Sequence, residues 1–508
     1  MNACLRTNIR AMASSTYESW SKHDLIAKLI QLEAAAQPVA STSTSTANSR
    51  RPWREFDFSA YPRRKIALKF CYSGWEYNGL AIQADVTPLP TVEGVLFDAL
   101  SKARLIDGEA GMEGCEWERC GRTDRGVSAA GQVVSLWVRS ALNTNNTEKP
   151  KPVVSEEELD LDTDDTTFPT LSASDFGTLD GPVSPATHNR PRKRNKEPDP
   201  NRQEHNFPAI LNRLLPPTIR VLAWSPVAPS FSSRFACTSR HYKYFFSPSL
   251  DGLDVSKMQA AANYLIGSHD FRNFCKIDPA KQLTEYRRHI TRADISGTDS
   301  NGMHVFDLIG SAFLYHQVRH IMAILFLVGA GLEKPSIVPT LLNVTSNAEK
   351  VIGEAELPVL DTKPEYQMAD GLPLMLYACH YPEGLLDWQT DTVKPAAQKY
   401  DSSADADAFA QLQYALARSE MYSTLNNAFS DAAQEHHYPE TSNSTTTTYT
   451  IPLGGATFRR SSKYVPLLLR NRNKHFEVVN ERWRVGKGAR KKAVQDKING
   501  SERWSLPV

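Results

Sequence analysis

The sharpest chemical pattern in the 508-residue sequence is the stretch CGRTDRGVSA, residues 120–129. Two glycines bracket four polar residues, and a run rich in β-branched residues follows at 133–138. Because glycine permits the backbone of a tight turn, the stretch predicts a loop that lifts Arg122 and Asp124 out of a sheet. Flanking arginines favour an ionised carboxylate, which can act as a nucleophile or a base without a metal. An ordinary turn with a solvated salt bridge fits the same residues.

A first folded block surrounds this loop and covers residues 63–140. Hydrophobic and polar residues alternate over 65–72, which is typical of a half-buried strand. Thr91 can cap a helix whose apolar residues recur at helical spacing over 92–103. The run at 133–138 predicts another strand. We therefore predict an N-terminal lobe over 63–140.

A second folded block covers residues 206–382. Its predicted helices lie at 208–215, 255–266 and 315–328. Its predicted strands lie at 219–224, 240–247, 288–296 and 303–310. Strands mixed with amphipathic helices, without strict βαβ alternation, favour the α+β class. The predicted architecture is a two-lobed unit of mixed and antiparallel sheets flanked by helices.

Composition divides the rest of the chain into segments without a strong core pattern. Residues 1–62 are predicted to hold a short helix, 21–36, and a Ser/Thr-rich linker. The charged insertion at 141–205 has too little apolar surface to offset its ordering entropy, so we predict disorder there. A low-complexity insertion is predicted at 383–457 and a basic tail at 458–508.

The charges of the chain are segregated. Lys+Arg 58 and Asp+Glu 57 give a net charge of +1, which taken alone argues against a strongly basic nucleic-acid binder. The tail at 458–508 nevertheless has 14 Lys+Arg against 4 Asp+Glu, a local charge of +10. Acidic residues in the insertion offset this tail, so the sum does not exclude a nucleic-acid partner. The tail could supply contacts to phosphates.

Cysteine and histidine spacings give little support for a metal site. Seven cysteines in a chain of this length form no disulfide framework, and a reducing compartment fits them best. Cys115 and Cys120 are spaced C-x4-C, but no second pair follows. His316 and His320 lie at i, i+4 on one predicted helix face, and no acid or cysteine completes a site nearby. No apolar stretch approaches the roughly 20 residues that a membrane span needs.

Four segments downstream of the loop carry further patterns of aromatic and charged residues. They are FSSRFAC at 231–237, RHYKY at 240–244, GSHDF at 267–271 and FLYHQVRHIM at 313–322. The loop matches the hallmark G-R-T-D-x-G-V, and in order and spacing all five resemble the motifs of the TruA-type tRNA pseudouridine synthases. Ser233 and Cys237 stand where the family pattern has alanine, and Gln317 where it usually has methionine. We interpret these three as packing positions.

The resemblance implies roles for four residues. Asp124 would be the catalytic nucleophile, and Arg122 would contact the RNA. Tyr242 would pack on the target uracil, and Arg319 would pair with Asp124. An arginine in the apolar helix 315–328 needs a partner in any case, because an unpaired buried charge is costly. On residue pattern alone, Tyr242 fits a core position in a strand equally well.

The segment after the first predicted strand narrows the resemblance to one branch. It has the sequence YSGWEYNGLAIQ at 72–83. Bacterial members typically show Y-x-G-W-Q there, whereas the version with G-L-A-x-Q resembles the eukaryotic branch that modifies uridines 38 and 39 in the tRNA anticodon arm. A glycine-containing turn between a strand and a helix is the alternative from the residues alone.

The predicted function is isomerisation of uridine to pseudouridine in the anticodon stem-loop of tRNA. The reaction exchanges an N1–C1′ bond for a C5–C1′ bond, so no cofactor is expected, and no phosphate-binding loop or dinucleotide fingerprint is present. Asp124 either attacks the uridine or abstracts a sugar proton. The alternatives are a synthase for other tRNA positions or other RNAs, a non-catalytic RNA-binding protein, and a metal-dependent nuclease, which would need further carboxylates.

The expected partners and compartments follow from the same resemblance. It implies tRNA and a second copy of the chain as partners, and no membrane or nucleotide cofactor. The PRKRNK run at 191–196 resembles a nuclear import signal, although an RNA-touching patch or a solvated charge run fits it too. Nucleus and cytoplasm are the predicted compartments. Arg6 and Arg10, with no acid nearby, weakly resemble a mitochondrial transit segment; an unstructured start, with Met12 as an alternative initiator, is preferred.

Overall fold

The computed structural model describes residues 56–83, 87–142, 203–247, 252–297, 302–351, 356–390, 408–434, 436 and 448–490. The strands in these ranges are β1 (Arg63–Tyr72), β2 (Glu118–Arg119), β3 (Ser128–Arg139), β4 (Ile219–Pro226), β5 (Ser239–Phe246), β6 (Gly267–Asp270), β7 (Arg287–Ser296), β8 (His304–Gly310), β9 (Leu374–His380), β10 (Tyr449–Gly454) and β11 (Thr457–Ser461). The helices are α1 (Val92–Lys102), α2 (Gly111–Gly114), α3 (Phe207–Asn212), α4 (Val255–Asn263), α5 (Gln317–Gly329), α6 (Ile337–Leu342), α7 (Ala408–Gln434) and α8 (Phe476–Trp483).

One nine-stranded sheet carries both predicted lobes and confirms the α+β class. Its order is β4-β1-β3-β9-β5-β8-β7-β6, with β2 paired to β3. Its strand pairs are antiparallel except β3 and β9, which run parallel with Ser128 opposite Met375 and Ala129 opposite Leu376. This parallel seam joins the two halves of the sheet. The loop that precedes β3 therefore lies where the halves meet.

The N-terminal half follows the predicted pattern closely. The even-numbered residues of β1, from Ile66 to Tyr72, are buried in one apolar cluster together with the inner face of α1. Thr91 caps α1, because its hydroxyl accepts a hydrogen bond of 3.2 Å from the Gly94 amide. The prediction of a strand, a capped helix and a second strand in this block is confirmed.

The boundary between the halves is not where composition placed it. Strand β4 and helix α3 fall in the segment assigned to the second lobe, 206–382, but β4 pairs with β1. Phe207 of α3 and Trp224 of β4 stack edge to face with centroids 4.8 Å apart in the N-terminal cluster. The backbone groups along the second edge of β1 require hydrogen-bond partners, and β4, which follows the charged insertion in sequence, provides them.

The C-terminal half is built around α5. Twelve of its thirteen residues are buried, since the helix is covered by the sheet, α4 and several loops. Only Arg319 is partly exposed. The residue before the helix, His316, has a left-handed backbone with φ 61°. The sequence pattern predicts this helix to begin two residues earlier, at 315; the left-handed backbone at His316 places the start at Gln317.

Residues 458–490, the described part of the predicted basic tail, pack against the C-terminal half. Leu467 is fully buried in the C-terminal cluster, and Phe476 of α8 stacks on Tyr286 at 5.1 Å. The Glu333 carboxylate accepts hydrogen bonds from the Tyr464 hydroxyl and the Leu467 amide. The count of basic residues concealed these apolar anchors, so the prediction of a simple tail was wrong for residues 458–490.

The low-complexity prediction at 383–457 also hid regular structure. Helix α7 occupies 27 residues of that segment, and β10 begins a hairpin with β11. The helix 21–36, the run 191–196 and most of the charged insertion lie outside the described residues. None of the described helices combines the length and the apolar composition that a membrane crossing requires.

Candidate active site

The loop at residues 120–127, called here the GRTD loop, ends in a tight turn at Asp124. The Asp124 carbonyl oxygen accepts a hydrogen bond of 3.1 Å from the Val127 amide. Gly126, the third residue of this turn, has φ 82°, a conformation that is strained for residues with a side chain. Arg122 is exposed, Thr123 is buried and Asp124 is half-buried. The predicted loop is therefore present, with its carboxylate at the parallel seam.

Buried contacts from the 72–83 segment fix the middle of the loop. The Tyr72 hydroxyl and the Thr123 hydroxyl are 2.6 Å apart and hydrogen-bonded. The Leu80 amide donates to the Thr123 carbonyl at 3.2 Å. Gly79 has φ 91°, and a Cβ there would lie 3.1 Å from the Thr123 oxygen and 3.4 Å from the Asp124 carbonyl carbon. The glycine thus lets two backbone segments approach directly beneath the carboxylate.

Arg240 and Gln132 hold the start of the loop. The Arg240 guanidinium donates to the carbonyl of Cys120 at 3.1 Å, and also to those of Ser311 and Arg234 at 2.7 and 3.0 Å. The Gln132 side-chain amide donates to the Gly121 carbonyl at 2.8 Å. Charged donors make strong hydrogen bonds to carbonyls. Arg240 therefore links the loop to two segments of the C-terminal half.

The imidazole of His316 faces the Asp124 carboxylate. Its Nε2 is 3.3 Å from Asp124 Oδ2, and the two side chains are 8% and 25% exposed. His316 Nδ1 is buried without a hydrogen-bond partner in the described part of the chain. The sequence pattern indicated His316 only as half of a possible metal pair and did not predict this contact. The one feature of the sequence that could have indicated a site role for His316 is its position directly before the apolar helix α5.

Arg319 does not form the predicted ion pair. Within the described residues, the ion-pair partner of Asp124 is His316. The Arg319 Nε donates a hydrogen bond of 2.8 Å to the Ala369 carbonyl. A backbone oxygen, and not the predicted carboxylate, is therefore the partner of this guanidinium. The guanidinium still lies beside the GRTD loop, because a Cβ on Gly371 would be 3.6 Å from Arg319 Cζ and 3.2 Å from the Arg125 oxygen.

Tyr242 lies on β5, two strands from the loop, and contacts both apolar clusters. Its Cα is opposite Leu376, which is in turn opposite Ala129 just after the loop. Its ring meets Phe313 edge to face at 5.0 Å. Burial raises the pKa of the Tyr242 phenol, and the charge of Asp124 adds to the shift, which places the two side chains in one electrostatic neighbourhood. Tyr242 thus lies in the same sheet as the strand that follows the GRTD loop, two strands away from it.

His316 and His320 do not share a partner. His320 Nε2 is 3.3 Å from Lys363 Nζ, and its ring meets Tyr366 edge to face at 5.2 Å. Burial, with the nearby Lys363 charge, lowers the pKa of His320 to about 2. Burial likewise lowers the pKa of Lys363 to about 8. A neutral imidazole packed beside an amine is a structural group of the core, separate from the Asp124 site.

Exposed groups suited to nucleic acid lie on the motif segments. Trp75, directly after Gly74, is 57% exposed, and Phe235 is 71% exposed with the Arg234 guanidinium 5.2 Å from its ring. A Cβ on Gly74 would meet the Val127 carbonyl at 2.1 Å, so this segment also touches the GRTD loop. Aromatic faces and guanidinium groups are the usual partners of unstacked bases.

Comparison with known proteins identifies the family of the chain. The family model described as tRNA pseudouridine synthase matches residues 261–382. The chain is 34% identical to the tRNA pseudouridine(38/39) synthase of Saccharomyces cerevisiae over 94% of each protein. The chain belongs to the tRNA pseudouridine synthase family.

Two mammalian relatives in the family share the same description. The tRNA pseudouridine(38/39) synthases of Mus musculus and Homo sapiens are 40% and 38% identical. These alignments cover 67% and 66% of this chain and 60% of each mammalian protein. The predicted family is confirmed; the individual roles of Arg122, Asp124, Tyr242 and Arg319 stay predictions that the geometry makes testable.

Proposed function

We propose that the protein isomerises uridine to pseudouridine at positions 38 and 39 of the tRNA anticodon arm. The observation that carries the proposal is the placement of Asp124. Its carboxylate stands on a tight turn just before the parallel seam, its side chain is 25% exposed, and Tyr242 lies two strands away in the same sheet. The names of the yeast and mammalian relatives support the two tRNA positions.

The reaction breaks the N1–C1′ bond of the target nucleotide, turns the uracil while it is held, and joins C5 to C1′. Unstacking the target nucleotide costs a few kcal/mol, which contacts from Arg122 and neighbouring exposed aromatics offset. Tyr242 packs on the face of the freed base. Asp124 acts as an anion in either route, as a nucleophile at the nucleotide or as the base that removes a sugar proton. The proton lost from C5 after rejoining returns to N1 through solvent or the same carboxylate.

His316 and Arg319 have supporting roles in this mechanism. The His316 Nε2 lies 3.3 Å from one oxygen of the Asp124 carboxylate and orients that oxygen. Arg319 holds the Ala369 carbonyl and adds positive charge beside the loop. Gly79 and Tyr72 keep the loop backbone fixed while the substrate enters. These are positioning residues.

The test is a site map of the product. Purified full-length protein is incubated with unmodified tRNA transcripts that carry uridine at positions 38 and 39, and pseudouridine is located by chemical labelling and reverse transcription. We expect product at 38 and 39 and none in transcripts with cytidine there. Product at other positions would support a synthase of different site specificity, and tRNA binding without any product would support a non-catalytic RNA-binding protein.

We further propose that the protein works as a homodimer. Helix α7 supports this, because it carries several exposed large apolar side chains. They are Phe409, Tyr414, Leu416, Met421, Tyr422, Leu425 and Phe429. A second copy of the chain would remove them from water. Light scattering should report a dimer that a Met421→Glu/Leu425→Glu variant converts to a monomer, while Glu420→Lys, an exposed control on the same helix, leaves it intact.

The proposed compartments are the nucleus and the cytoplasm. The basic run at 191–196 supports nuclear import. A fluorescent fusion should lose its nuclear fraction when these six residues are replaced by Gly/Ser. Residence in mitochondria would overturn the proposal.

A further inference from the structure

Three cysteines from distant parts of the chain meet behind the start of the GRTD loop. Cys120 follows β2, Cys237 precedes β5, and Cys379 lies in β9. Their sulfur atoms all lie within 4.8 Å of one another. Cys120 and Cys237 are only 2% and 7% exposed, and Cys379 packs against them in a small apolar cluster. Within the described ranges, this is the one group of three or more potential metal-ligating side chains.

The spacing suits a metal ion bound by thiolates. A tetrahedral zinc ion with zinc–sulfur bonds of about 2.3 Å holds its sulfurs roughly 3.8 Å apart, so small side-chain adjustments satisfy the geometry. The three thiols are free of disulfides, so each can supply one sulfur ligand to a metal ion. Zinc also prefers sulfur ligands over the carboxylates that are exposed elsewhere on the protein.

The surroundings of the cluster supply the matching charge. Three thiolates and Zn²⁺ carry a net charge of −1, which needs a nearby cation in a buried place. The Arg240 guanidinium is within 3.4 Å of the carbonyl oxygens of both Cys120 and Cys237.

We propose that Cys120, Cys237 and Cys379 bind one zinc ion, with water completing the tetrahedron, and that the ion ties the start of the GRTD loop to β5 and β9. Cys237 stands where the pattern of the wider family has alanine, so the resemblance does not imply the site. Cys115, the partner suggested by the C-x4-C spacing, lies in the N-terminal apolar cluster and takes no part. The site is independent of which uridine the protein modifies.

The cluster crosses the boundary between the two halves of the sheet. Cys120 belongs to the N-terminal half, whereas the other two ligands belong to the C-terminal half. A metal bound there restrains segments that are far apart in sequence, which favours the folded state. It would also fix the residue directly before Gly121, and so the position from which the loop reaches Asp124.

The direct test measures zinc in the protein as purified. Full-length chain, purified without chelator or metal-affinity resin, is analysed by mass spectrometry of metals. We expect about one zinc per chain, and less than a tenth of that in Cys237→Ala and in Cys379→Ala. Cys237→Ala restores the residue of the family pattern and is expected to fold, which circular dichroism verifies. Cys115→Ala, another buried cysteine, is the matched control and should keep its zinc.

A second measurement reports the ligands themselves. Cobalt added to the metal-free chain should give sulfur-to-cobalt charge-transfer bands that disappear in Cys237→Ala and persist in Cys115→Ala. The proposal is overturned if the wild-type chain contains no zinc and cobalt gives no such bands. It is equally overturned if thiol titration of the denatured protein finds two of the three cysteines joined as a disulfide, or if zinc remains bound in both cluster variants.

Discussion

The two ends of the GRTD loop are assembled in different ways. The turn from Asp124 to Val127 is closed by short-range features, a glycine with positive φ and one hydrogen bond across three residues. The start of the loop, at Cys120 and Gly121, is held by Gln132 of β3 and by Arg240 of β5, which is 120 residues away from Cys120 along the chain. Neighbouring residues thus determine the local shape of the turn that carries Asp124, whereas contacts between distant segments determine where the loop lies in the fold.

This contrast predicts that residues at the start of the loop affect stability and activity together. Arg240→Ala removes charged hydrogen bonds to the carbonyls of Cys120, Arg234 and Ser311. We expect the free energy of unfolding to fall by about 3 kcal/mol and turnover by roughly 100-fold. Urea unfolding and single-turnover assays measure both.

The control for Arg240 is Arg292→Ala. Arg292 pairs with Asp294 at 2.8 Å, but both side chains are about half exposed. A solvent-exposed pair contributes less than about 1 kcal/mol. If Arg292→Ala is as damaging as Arg240→Ala, the loop-start contacts have no special role.

Residues that face the base should affect activity more than stability. Tyr242→Ala removes the ring proposed to pack on the uracil, and base–aromatic stacking contributes about 1–3 kcal/mol. We expect turnover to fall about 10- to 100-fold, and Tyr242→Phe, which keeps the ring, to retain most of it. Equal losses in the two variants would show that the hydroxyl, and not the stacking face, is what matters.

The buried His320 should make stability depend on pH without affecting the site. The folded state keeps this imidazole neutral because its pKa is lowered to about 2, whereas the unfolded chain binds a proton below about pH 6.5. The unfolded state therefore takes up more protons as the pH falls, and stability present above pH 6.5 is lost below it. The slope from this one group approaches about 1.4 kcal/mol per pH unit.

Urea unfolding between pH 7 and pH 5 measures that slope. His320→Phe should flatten it, because the apolar ring can keep the edge-to-face contact with Tyr366. His436→Gln, at an exposed histidine, should leave it unchanged. An unaltered slope in His320→Phe would place the titrating group elsewhere.

The smallest effect on turnover is expected from replacing His316, whose contact with Asp124 the sequence did not predict. His316→Gln removes the ion-pair partner of Asp124 but keeps a hydrogen-bonding side chain of similar length. We expect turnover to fall about fivefold, corresponding to roughly 1 kcal/mol, with unchanged tRNA affinity. A loss as large as that from replacing Asp124 itself would make His316 a direct participant in proton transfer.

Local patterns in the sequence predicted the parts of the fold that depend on neighbours along the chain. The alternation of β1 and the cap at Thr91 follow from the chemistry of adjacent residues, and the GRTD loop follows from its glycines. Contacts between distant segments were not predictable in this way. The His316–Asp124 pair and the Ala369 partner of Arg319 depend on how the two halves close at the β3–β9 seam.

The same limit applies to composition. The net positive charge of residues 458–508 does not reveal the apolar residues Leu467 and Phe476, whose burial fixes residues 458–490 on the C-terminal half. Likewise, Cys120 and Cys379 are distant in sequence, so no spacing rule could have joined them. Contacts of a few buried residues, and not the overall composition, therefore determine where these segments lie in the fold.

The central claim is that the Asp124 carboxylate performs the chemistry, and replacing one oxygen of it tests this most directly. Asp124→Asn keeps the size of the side chain, and Asp98→Asn, at an exposed position on α1, makes the same change away from the site. Pseudouridine formation in tRNA is measured under single-turnover conditions alongside tRNA binding. We predict that Asp124→Asn binds tRNA normally and forms product at least about 1,000-fold more slowly, while Asp98→Asn matches the wild type. Turnover by Asp124→Asn within tenfold of the wild type would contradict the account.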